Sequence, residues 1–310
     1  MKLETVSCVV CRSPAAGTLL AQGADYDYGT TGETFTFVRC HGCGHCYLNP
    51  RPAPEDAPEI YPSNYYTLDG SHQTGRFHFM GALKDAVVVR RLKGLLRTVP
   101  TGGQVVDLGC GDGALLLAIR RVRPDTRLIG VDLALSHSRR TRMEAAGITC
   151  IEAKLESANL PLGLDLVIMN QVIEHLWEVD ACLAKISASL RTGGLLSVCT
   201  PNSDAYDARW FRTGAWGGYY FPRHLNLFNR KSLTQVLTRH HLRLAEWRQL
   251  VAPLVWASTL RALQVRQGWP RLTRPLDSNL LVLAVFSLLD RLVIATGGIS
   301  SNQQIVVARE

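Results

Sequence analysis

The stretch QVVDLGCGDG, residues 104–113, and the stretch LIGVDL, residues 128–133, decide the fold of this 310-residue chain. The apolar, β-branched residues at the start of the first stretch are typical of a buried strand, and the helical pattern ALLLAIRRV follows its glycines. Glycine allows the backbone of such a turn to approach a ligand closely. Asp132, at the end of the second strand, can accept hydrogen bonds from both hydroxyls of a ribose. The sequence therefore predicts a nucleotide-type pocket between a strand, a glycine turn and a helix.

The spacing and charge of this turn distinguish two classes of cofactor. The fingerprint of dinucleotide-binding proteins, GxGxxG, leaves the helix N-terminus open to a pyrophosphate. Here the spacing is GxGxG, with Asp107 before the turn and Asp112 inside it. Two carboxylates repel a pyrophosphate but suit S-adenosylmethionine (SAM), which carries a sulfonium and an ammonium group. DLGCGDG with GVD downstream resembles the class I SAM-dependent methyltransferases.

The resemblance to this family extends along the chain, roughly from Gly103 to Arg309. LDLVIMNQ (164–171) is typical of a fourth strand that ends in a polar turn, and VIEHL (172–176) and a helix from about Val179 to Leu190 follow it. LRTGGLLSVCTPN (190–202) then predicts a helix end, a Gly-Gly turn and a fifth strand. The resemblance implies an α/β fold, a doubly wound, Rossmann-like mixed sheet of seven strands in the order 3-2-1-4-5-7-6.

The same resemblance implies which residues bind SAM. The family's glycine turn and strand ends correspond here to Asp107, Gly109, Cys110, Gly111, Gly113, Asp132, Leu133, Leu155, Glu156 and Asn170. After the third strand the family usually has Asp where this chain has Lys154. This departure removes the usual acidic contact to the adenine amine, which the backbone at Leu155 or the carboxylate of Glu156 could replace.

Length, composition and charge limit the class of protein. A chain of this length can bury a full α/β core and still carry a smaller domain. MKLETVSCVV, at the N-terminus, has no apolar run of the length that a signal peptide needs, so we expect a cytoplasmic protein. In that compartment the nine cysteines are expected as thiols or metal ligands rather than disulfides. The net charge of +8 fits solvated helix faces as well as an anionic nucleic-acid or lipid surface.

Two CxxC pairs mark the N-terminal segment, CVVC at residues 8–11 and CHGC at residues 40–43. Such pairs are typical of a zinc ribbon, in which each pair turns tightly and points two thiolates at one tetrahedral ion. The predicted ligands are Cys8, Cys11, Cys40 and Cys43. A ribbon too short to build a hydrophobic core takes its folding energy from the metal, so we expect a structural Zn²⁺. Cys46 is interpreted as a buried, small apolar residue, because a tetrahedral site has no place for a fifth ligand.

The chain is predicted to divide at residue 62. Residues 1–62 would form the zinc ribbon and a proline-rich connector, and residues 63–310 the SAM-binding domain, led by a helix from about His78 to Thr98. The order of zinc ribbon, NPRP, YPSNYY and methyltransferase core resembles methyltransferases of bacterial polysaccharide, modified-sugar and natural-product pathways. In that group the N-terminal part lies over the acceptor cleft.

Two stretches depart from a generic core of this family. Residues 204–228 are rich in aromatic residues interrupted by glycines, which suits a lid over an apolar or sugar acceptor, or else a hydrophobic cluster beneath a long loop. Residues 251–298 form an apolar helical insertion whose uninterrupted apolar run is too short to span a bilayer. The insertion could pack on the core, form a homodimer face, or contact a membrane or lipid-linked acceptor through residues 276–296.

Two histidines are candidates for catalysis, because a base with a pKa near neutrality assists methyl transfer to a hydroxyl. His175 follows the fourth strand, and His224 lies in PRHLNLF, which resembles the RHLxxF of the same family. Either could instead be a loop histidine whose hydrogen bonds are satisfied. QVIEH (171–175) is also similar to the ExxEH of ubiquinone-pathway and small-RNA-end O-methyltransferases, which binds a divalent ion with a later His. That resemblance implies a metal alternative at Glu174, His175 and His224, with Gln171 in place of the first Glu.

The leading interpretation is an enzyme that methylates a hydroxyl of a small acceptor, such as a sugar, a glycan or lipid precursor, or a secondary metabolite. The alternative is an rRNA or tRNA methyltransferase whose zinc ribbon binds RNA. Base-methylating enzymes often carry NPPY or a related motif after the fourth strand, where this chain has NQVIEHL. That difference argues against nucleic acid as a partner. A non-catalytic interaction protein is disfavoured because the glycines and Asp132 are all present.

Overall fold

The computed structural model describes residues 1–14, 17–62, 76–268 and 279–310, and of residues 76–86 it describes the backbone alone. The strands are β1 (Leu3–Glu4), β2 (Gly17–Gly23), β3 (Phe35–Cys40), β4 (Cys46–Leu48), β5 (Arg51–Pro52), β6 (Gln104–Leu108), β7 (Arg127–Asp132), β8 (Ile148–Glu152), β9 (Leu164–Asn170), β10 (Leu190–Pro201), β11 (Asn226–Leu227), β12 (Leu242–Leu250) and β13 (Asn302–Arg309). The α-helices are α1 (Ala57–Ile60), α2 (Arg76–Thr98), α3 (Ala114–Val122), α4 (His137–Ala145), α5 (Val179–Ser189), α6 (Tyr206–Trp210), α7 (Arg230–Thr238), α8 (Pro253–Arg266) and α9 (Leu280–Ala295). The YPSNYY part of the connector from residue 63 onward and residues 269–278 of the predicted insertion lie outside the described residues.

Seven strands form one mixed sheet in the order β12-β13-β10-β9-β6-β7-β8. When only the strands of this sheet are numbered along the chain, starting with β6 as 1, the order read from the β8 edge is 3-2-1-4-5-7-6. The predicted fold class is therefore confirmed. Strands β6 to β10 are parallel, and β13 lies antiparallel between β10 and β12. The central strands β6 and β9 are buried along almost their whole length, which explains their nearly continuous apolar sequences. The carboxyl ends of the parallel strands meet at one edge, where ligands of open α/β folds bind.

Two local features lie beside this sheet. Helix α7 begins at a capping box in which the Asn229 side chain accepts from the Ser232 N–H at 2.8 Å. The predicted Gly-Gly turn before the fifth strand is wrong, because β10 already begins at Leu190, directly after α5, and shifts register before Leu195. Gly193 has a φ of 74°. The residues between Leu190 and Leu195 therefore form a bulge within β10 and not a turn before it.

A second sheet joins the N-terminal segment to the core. Strands β2, β3 and β4 form an antiparallel ribbon, and β11, which belongs to the aromatic segment 204–228, pairs antiparallel with β4. Phe37 of β3 packs against the rings of Tyr219 and Phe221, at centroid distances of 5.3 and 5.2 Å. The predicted zinc ribbon thus includes a strand from the methyltransferase part of the chain.

Helices α8 and α9 pack together beside the aromatic segment. Trp256 stacks on Phe286 with ring centroids 5.8 Å apart, and the buried carboxylate of Asp290 accepts from the Trp256 indole N–H at 2.7 Å. The Gly217 N–H donates to the hydroxyl of Thr259 at 2.8 Å, which ties α8 to the segment 204–228. The inner face of α9 is therefore held by a buried carboxylate.

The outer face of α9 carries exposed apolar side chains, Leu281, Val285, Leu288 and Leu292. Within the described ranges, no helix combines the length and hydropathy needed to cross a bilayer. Contact of this face with a membrane, a lipid-linked acceptor or a second copy stays a prediction.

Candidate functional site

The glycine turn after β6 has the backbone that its sequence predicts. Gly109, Gly111 and Gly113 have φ angles of 72°, 55° and 75°, the left-handed region that favours glycine. A Cβ on Gly109 would lie 2.6 Å from Val172, and a Cβ on Gly113 would overlap the side chain of Met143. A Cβ on Gly111 would meet no atom within 4 Å. Packing therefore requires the outer two glycines, and the middle one borders open space.

Asp132 lies against this turn. Its carboxylate accepts a hydrogen bond from the Gly111 N–H at 2.8 Å, and burial raises its pKa. Asp107 lies on β6, the strand paired with β7, and is 3% exposed. Asp112 differs, because Arg142 donates to its backbone carbonyl and lies 3.7 Å from its carboxylate. Asp112 has a basic partner of its own, which weakens the sequence argument that its charge serves the cofactor.

The predicted adenine side of the cleft follows β7 and β8. Leu133, directly after Asp132, is 58% exposed, although it continues a strand that is otherwise mostly buried. The Ala153 N–H donates to the Asp132 carbonyl at 2.9 Å, so the turn after β8 is held beside the end of β7. Leu155 and Glu156 are half-buried in that turn. An apolar side chain and a carboxylate are thus available where an adenine ring would lie.

The two remaining predicted cofactor residues have defined neighbours. Asn170, at the end of β9, accepts from Arg91 of α2 at 2.9 Å. Cys110 is buried, and a Cβ on Gly130 would lie 2.8 Å from its Sγ, so its side chain packs into the sheet. The predicted cofactor residues therefore gather at the carboxyl ends of β6 to β9, and their backbone and carboxylates fit a SAM nucleoside.

The four cysteines of the two CxxC pairs converge. Their sulfur atoms lie within 4.8 Å of one another, and the Cys8–Cys43 and Cys11–Cys40 sulfur pairs are 3.6 and 3.5 Å apart. A tetrahedron with Zn–S bonds of about 2.3 Å has edges of about 3.8 Å, so the cluster fits one Zn²⁺. A Cβ on Gly42 would lie 3.3 Å from the Cys11 sulfur, which explains glycine in the second pair.

Cys46 lies outside this cluster. It is 0% exposed and packs in the hydrophobic cluster that contains Phe37 and Leu48. Burial raises the pKa of its thiol to about 11. Its interpretation as a small apolar residue agrees with these surroundings.

His175 and His224 face each other after β9, with ring centroids 4.7 Å apart. Nδ1 of His175 lies 3.0 Å from the carbonyl oxygen of Arg223, and Nδ1 of His224 lies 2.8 Å from that of Gly218. A carbonyl oxygen can only accept, so Nδ1 carries the proton in both rings and Nε2 carries the lone pair. The Tyr61 hydroxyl also lies 3.0 Å from Nδ1 of His175. Both rings therefore have Nε2 as their basic nitrogen.

Desolvation disfavours the charged form of both imidazoles. Desolvation lowers the pKa of His175 to about 4 and lowers the pKa of His224 well below its ordinary value of 6.5. A neutral imidazole can accept a proton at neutral pH, but a low pKa makes it a weak base. The hydroxyl of an acceptor would then have to lie within hydrogen-bonding distance of Nε2 for its deprotonation to assist methyl transfer.

Glu174 lies next to the histidine pair and is 0% exposed. Its Oε2 accepts from the Thr200 hydroxyl at 2.8 Å, and its Oε1 has no hydrogen-bond partner among the described residues. Desolvation raises the pKa of Glu174 to about 8. Burial therefore favours the protonated form of this carboxyl, and a bound cation would favour the ionised form.

These three residues also fit a divalent cation. One ligand atom from each of Glu174, His175 and His224 lies within 4.8 Å of the other two. Two imidazoles and one carboxylate are a common ligand set, and carbonyls that bind the Nδ1–H groups would orient the rings. Gln171 does not belong to this set, because its amide donates to Asn302 at 3.3 Å.

The aromatic segment 204–228 is closely packed. Trp216, Tyr219 and Phe221 are each 2% exposed, and the Trp216 indole donates to the Asp207 carboxylate at 2.9 Å. Trp210 is 63% exposed. The buried rings favour the alternative of a hydrophobic cluster, and a lid role stays a prediction.

Sequence reasoning missed two residues near the histidines. Arg223 forms a buried ion pair with Asp25, and Tyr61 contacts His175. The partners Asp25 and Arg223 are 198 positions apart, so no local pattern connects them. The available signals were the position of Tyr61 at the start of YPSNYY and the position of Arg223 directly before the candidate His224.

Comparison with known proteins agrees with this geometry. Residues 78–246 match the family model described as "Methyltransferase domain". An uncharacterized methyltransferase of Mycobacterium tuberculosis is 33% identical over 104 residues, which cover 33% of this chain and 53% of that protein. A ubiquinone biosynthesis O-methyltransferase of a Bradyrhizobium species is 27% identical over 155 residues, which cover 44% of this chain and 60% of that protein. The chain thus spans about half the length of the curated relatives it matches.

A solved structure shows the same fold. The geranyl diphosphate C-methyltransferase of Streptomyces coelicolor A3(2) has a TM-score of 0.51 and 13% identity, over 84% of this chain and 100% of that chain. At this identity the likeness concerns the fold alone. The family match covers more than half of the chain and includes the glycine turn, Asp132 and the histidine pair. The chain therefore belongs to the methyltransferase domain family.

Proposed function

We propose that this chain transfers the methyl group of SAM to a small-molecule acceptor, at a hydroxyl of a sugar, a glycan or lipid precursor, or a secondary metabolite. The observation that carries the proposal is the adjacency of two sites. The glycine turn follows β6, His175 follows β9, and these strands are paired neighbours. Val172, which packs against Gly109, lies three residues before His175. Cofactor and acceptor would therefore meet at one edge of the sheet.

Methyl transfer requires the acceptor atom, the methyl carbon and the sulfonium sulfur to align. SAM supplies the methyl group and a sulfonium leaving group when it is bound. The glycine turn and Asp132 would hold its nucleoside. Accurate positioning of the reactants can lower the activation free energy by roughly 7–11 kcal/mol. A hydroxyl acceptor would pass its proton to Nε2 of His224 or His175, which can add about 10²- to 10⁴-fold.

A divalent cation at Glu174, His175 and His224 is the second candidate for how the acceptor is activated. The unpartnered Oε1 of Glu174, judged over the described residues, supports it. A cation there would supply Lewis-acid chemistry to an acceptor oxygen. Both histidines would then serve as ligands, so the two candidates exclude each other.

One structural Zn²⁺ at Cys8, Cys11, Cys40 and Cys43 is part of the proposal. The sulfur spacing supports it, because the measured pairs are close to a tetrahedral edge. The CHGC pair begins at Cys40, the last residue of β3, and ends before β4. Strand β4 pairs with β11, which begins two residues after His224. The metal would thus stabilise the sheet that carries this part of the active site.

Calorimetry with SAM and with S-adenosylhomocysteine tests the cofactor site. We expect affinity in the micromolar to submillimolar range and its loss in Asp132→Ala, because the ribose would lose its acceptor. Asp112→Ala is the matched control, since Arg142 already pairs with Asp112, and it should change the dissociation constant little. Absence of heat with either compound in the wild-type protein would contradict the proposal.

Transfer of a labelled methyl group tests the acceptor class. Sugars, lipid-linked glycans and phenolic metabolites form one panel, and rRNA and tRNA form the other. We expect label in the first panel. Label in RNA alone would favour the alternative function.

A further inference from the structure

Asp25 and Arg223 form an ion pair that is closed off from solvent, since both side chains are 0% exposed. The contact is bidentate, with Nη1 donating to Oδ1 at 3.0 Å and Nη2 donating to Oδ2 at 2.8 Å. Asp25 lies between β2 and β3 of the N-terminal segment, and Arg223 directly precedes His224. The pair therefore joins the two parts of the chain beside the histidine pair.

The carboxylate of Asp25 is held from several directions. The backbone N–H groups of Tyr28 and Thr30 donate to it at 3.0 and 2.9 Å, and the Thr30 hydroxyl donates at 2.7 Å. Burial alone would raise the pKa of Asp25. The hydrogen bonds and positive charge of Arg223 lower it, and so do the Tyr28 and Thr30 donors, so that the pKa of Asp25 lies well below its ordinary range. A carboxylate fixed in this way allows Arg223 one bidentate geometry.

The backbone of Arg223 is linked to both histidines. Its carbonyl oxygen is the acceptor for Nδ1 of His175 at 3.0 Å. The backbone N–H groups of Arg223 and His224 both donate to the Tyr220 carbonyl, at 2.9 and 3.3 Å. The Arg223 guanidinium lies 4.5 Å from the ring centroid of Tyr28. A change in the backbone of Arg223 would therefore alter the acceptor of His175 and the direction of His224 together.

Stability alone is a weak reason for such a pair, because the desolvation of two charges offsets their attraction. We propose that Asp25 is a positioning residue. By holding Arg223, it fixes the Nδ1–H tautomer of His175 and the ring of His224 for methyl transfer. This inference rests on the proposed function and adds that the N-terminal segment helps to build the active site.

Asp25→Asn tests the proposal, because it keeps the shape of the side chain and removes its charge. Asp180→Asn is the matched control. Asp180 pairs with Arg239 at 2.9 Å, and Arg239 donates to the Val9 carbonyl at 3.1 Å, so this carboxylate also ties the N-terminal segment to the core. We expect Asp25→Asn to lower kcat by about tenfold or more, with the Kd for SAM within about threefold. The control should lower Tm but leave kcat within about twofold.

The ¹⁵N NMR spectrum of histidine-labelled protein gives a readout that does not need an acceptor. Wild-type protein and Asp180→Asn should show His175 as the Nδ1–H tautomer, whereas Asp25→Asn should show a mixture of tautomers. Failure to find any acceptor would count against the proposed function, and the spectra would still decide the positioning role.

Thr30→Val serves if Asp25→Asn does not fold, since it removes one hydrogen bond to the carboxylate and leaves the ion pair in place. It should shift the same histidine signals and lower kcat by a smaller factor. The proposal is overturned if the folded variants lower kcat no more than Asp180→Asn and leave the His175 signals unchanged.

Discussion

Replacing Glu174 by Gln tests the protonation state of the buried carboxyl at the centre of the site. Gln keeps the shape and can accept from Thr200, but it does not ionise. Because the pKa of Glu174 is raised from 4.5 to about 8, the folded protein retains a proton that the unfolded chain releases between these values. The free energy of unfolding of the wild-type protein therefore falls as pH rises through this window. One pKa unit is worth about 1.4 kcal/mol, so the loss reaches at most about 5 kcal/mol, and Glu174→Gln should not show it.

Urea unfolding across this pH window measures the difference, in protein that holds no added divalent cation. Glu178→Gln, which removes an exposed carboxyl four residues away, controls for the loss of one acid. A second series with added Mn²⁺ tests the metal candidate, because a bound cation would keep Glu174 ionised and remove the pH dependence in the wild-type protein. Parallel curves for wild-type protein and Glu174→Gln without the cation would refute the reasoning.

Three further predictions concern other parts of the site. His224→Ala should keep SAM affinity within about threefold and lower turnover at neutral pH by about 10²-fold or more, and unchanged turnover would remove His224 from the site. Cys8→Ser should lose Zn²⁺ in metal analysis and lower Tm, whereas unchanged zinc content would exclude Cys8 as a ligand. Trp216→Ala should lower stability by about 3–5 kcal/mol in denaturant unfolding, because its buried ring and its bond to Asp207 are lost. A selective rise in KM for the acceptor without loss of stability would instead support the lid interpretation.

Local sequence was sufficient to predict the backbone of the proposed cofactor half of the site. The apolar runs of β6 and β9 and the glycines between β6 and α3 depend on short-range rules of strand burial and turn conformation. The strand order followed from resemblance to a family with a fixed topology. The convergence of the two CxxC pairs could also be predicted, because each pair lies on one tight turn and both pairs together match the ligand set of one ion.

Contacts between distant segments could not be predicted in this way. The sequence interpretation offered a lid or a hydrophobic cluster for the aromatic residues of 204–228. It did not identify their partner, Phe37 of the N-terminal sheet, on which Tyr219 and Phe221 pack. Similarly, no sequence pattern indicated that Arg142 lies 3.7 Å from the carboxylate of Asp112. Both contacts depend on which side chains come together in the folded chain. Hydrophobic periodicity and motif spacing do not predict such pairs.

The short strand β11 would connect the proposed Zn²⁺ site to the proposed active site. Its two residues, Asn226 and Leu227, form too short a strand to be stable without a partner. They are held by pairing with Tyr47 and Cys46 of β4, and β4 begins three positions after Cys43 of the CHGC pair. Loss of Zn²⁺ should release this edge and with it His224, two residues before β11. The ribbon would then contribute to catalysis by ordering a histidine that its own sequence does not contain.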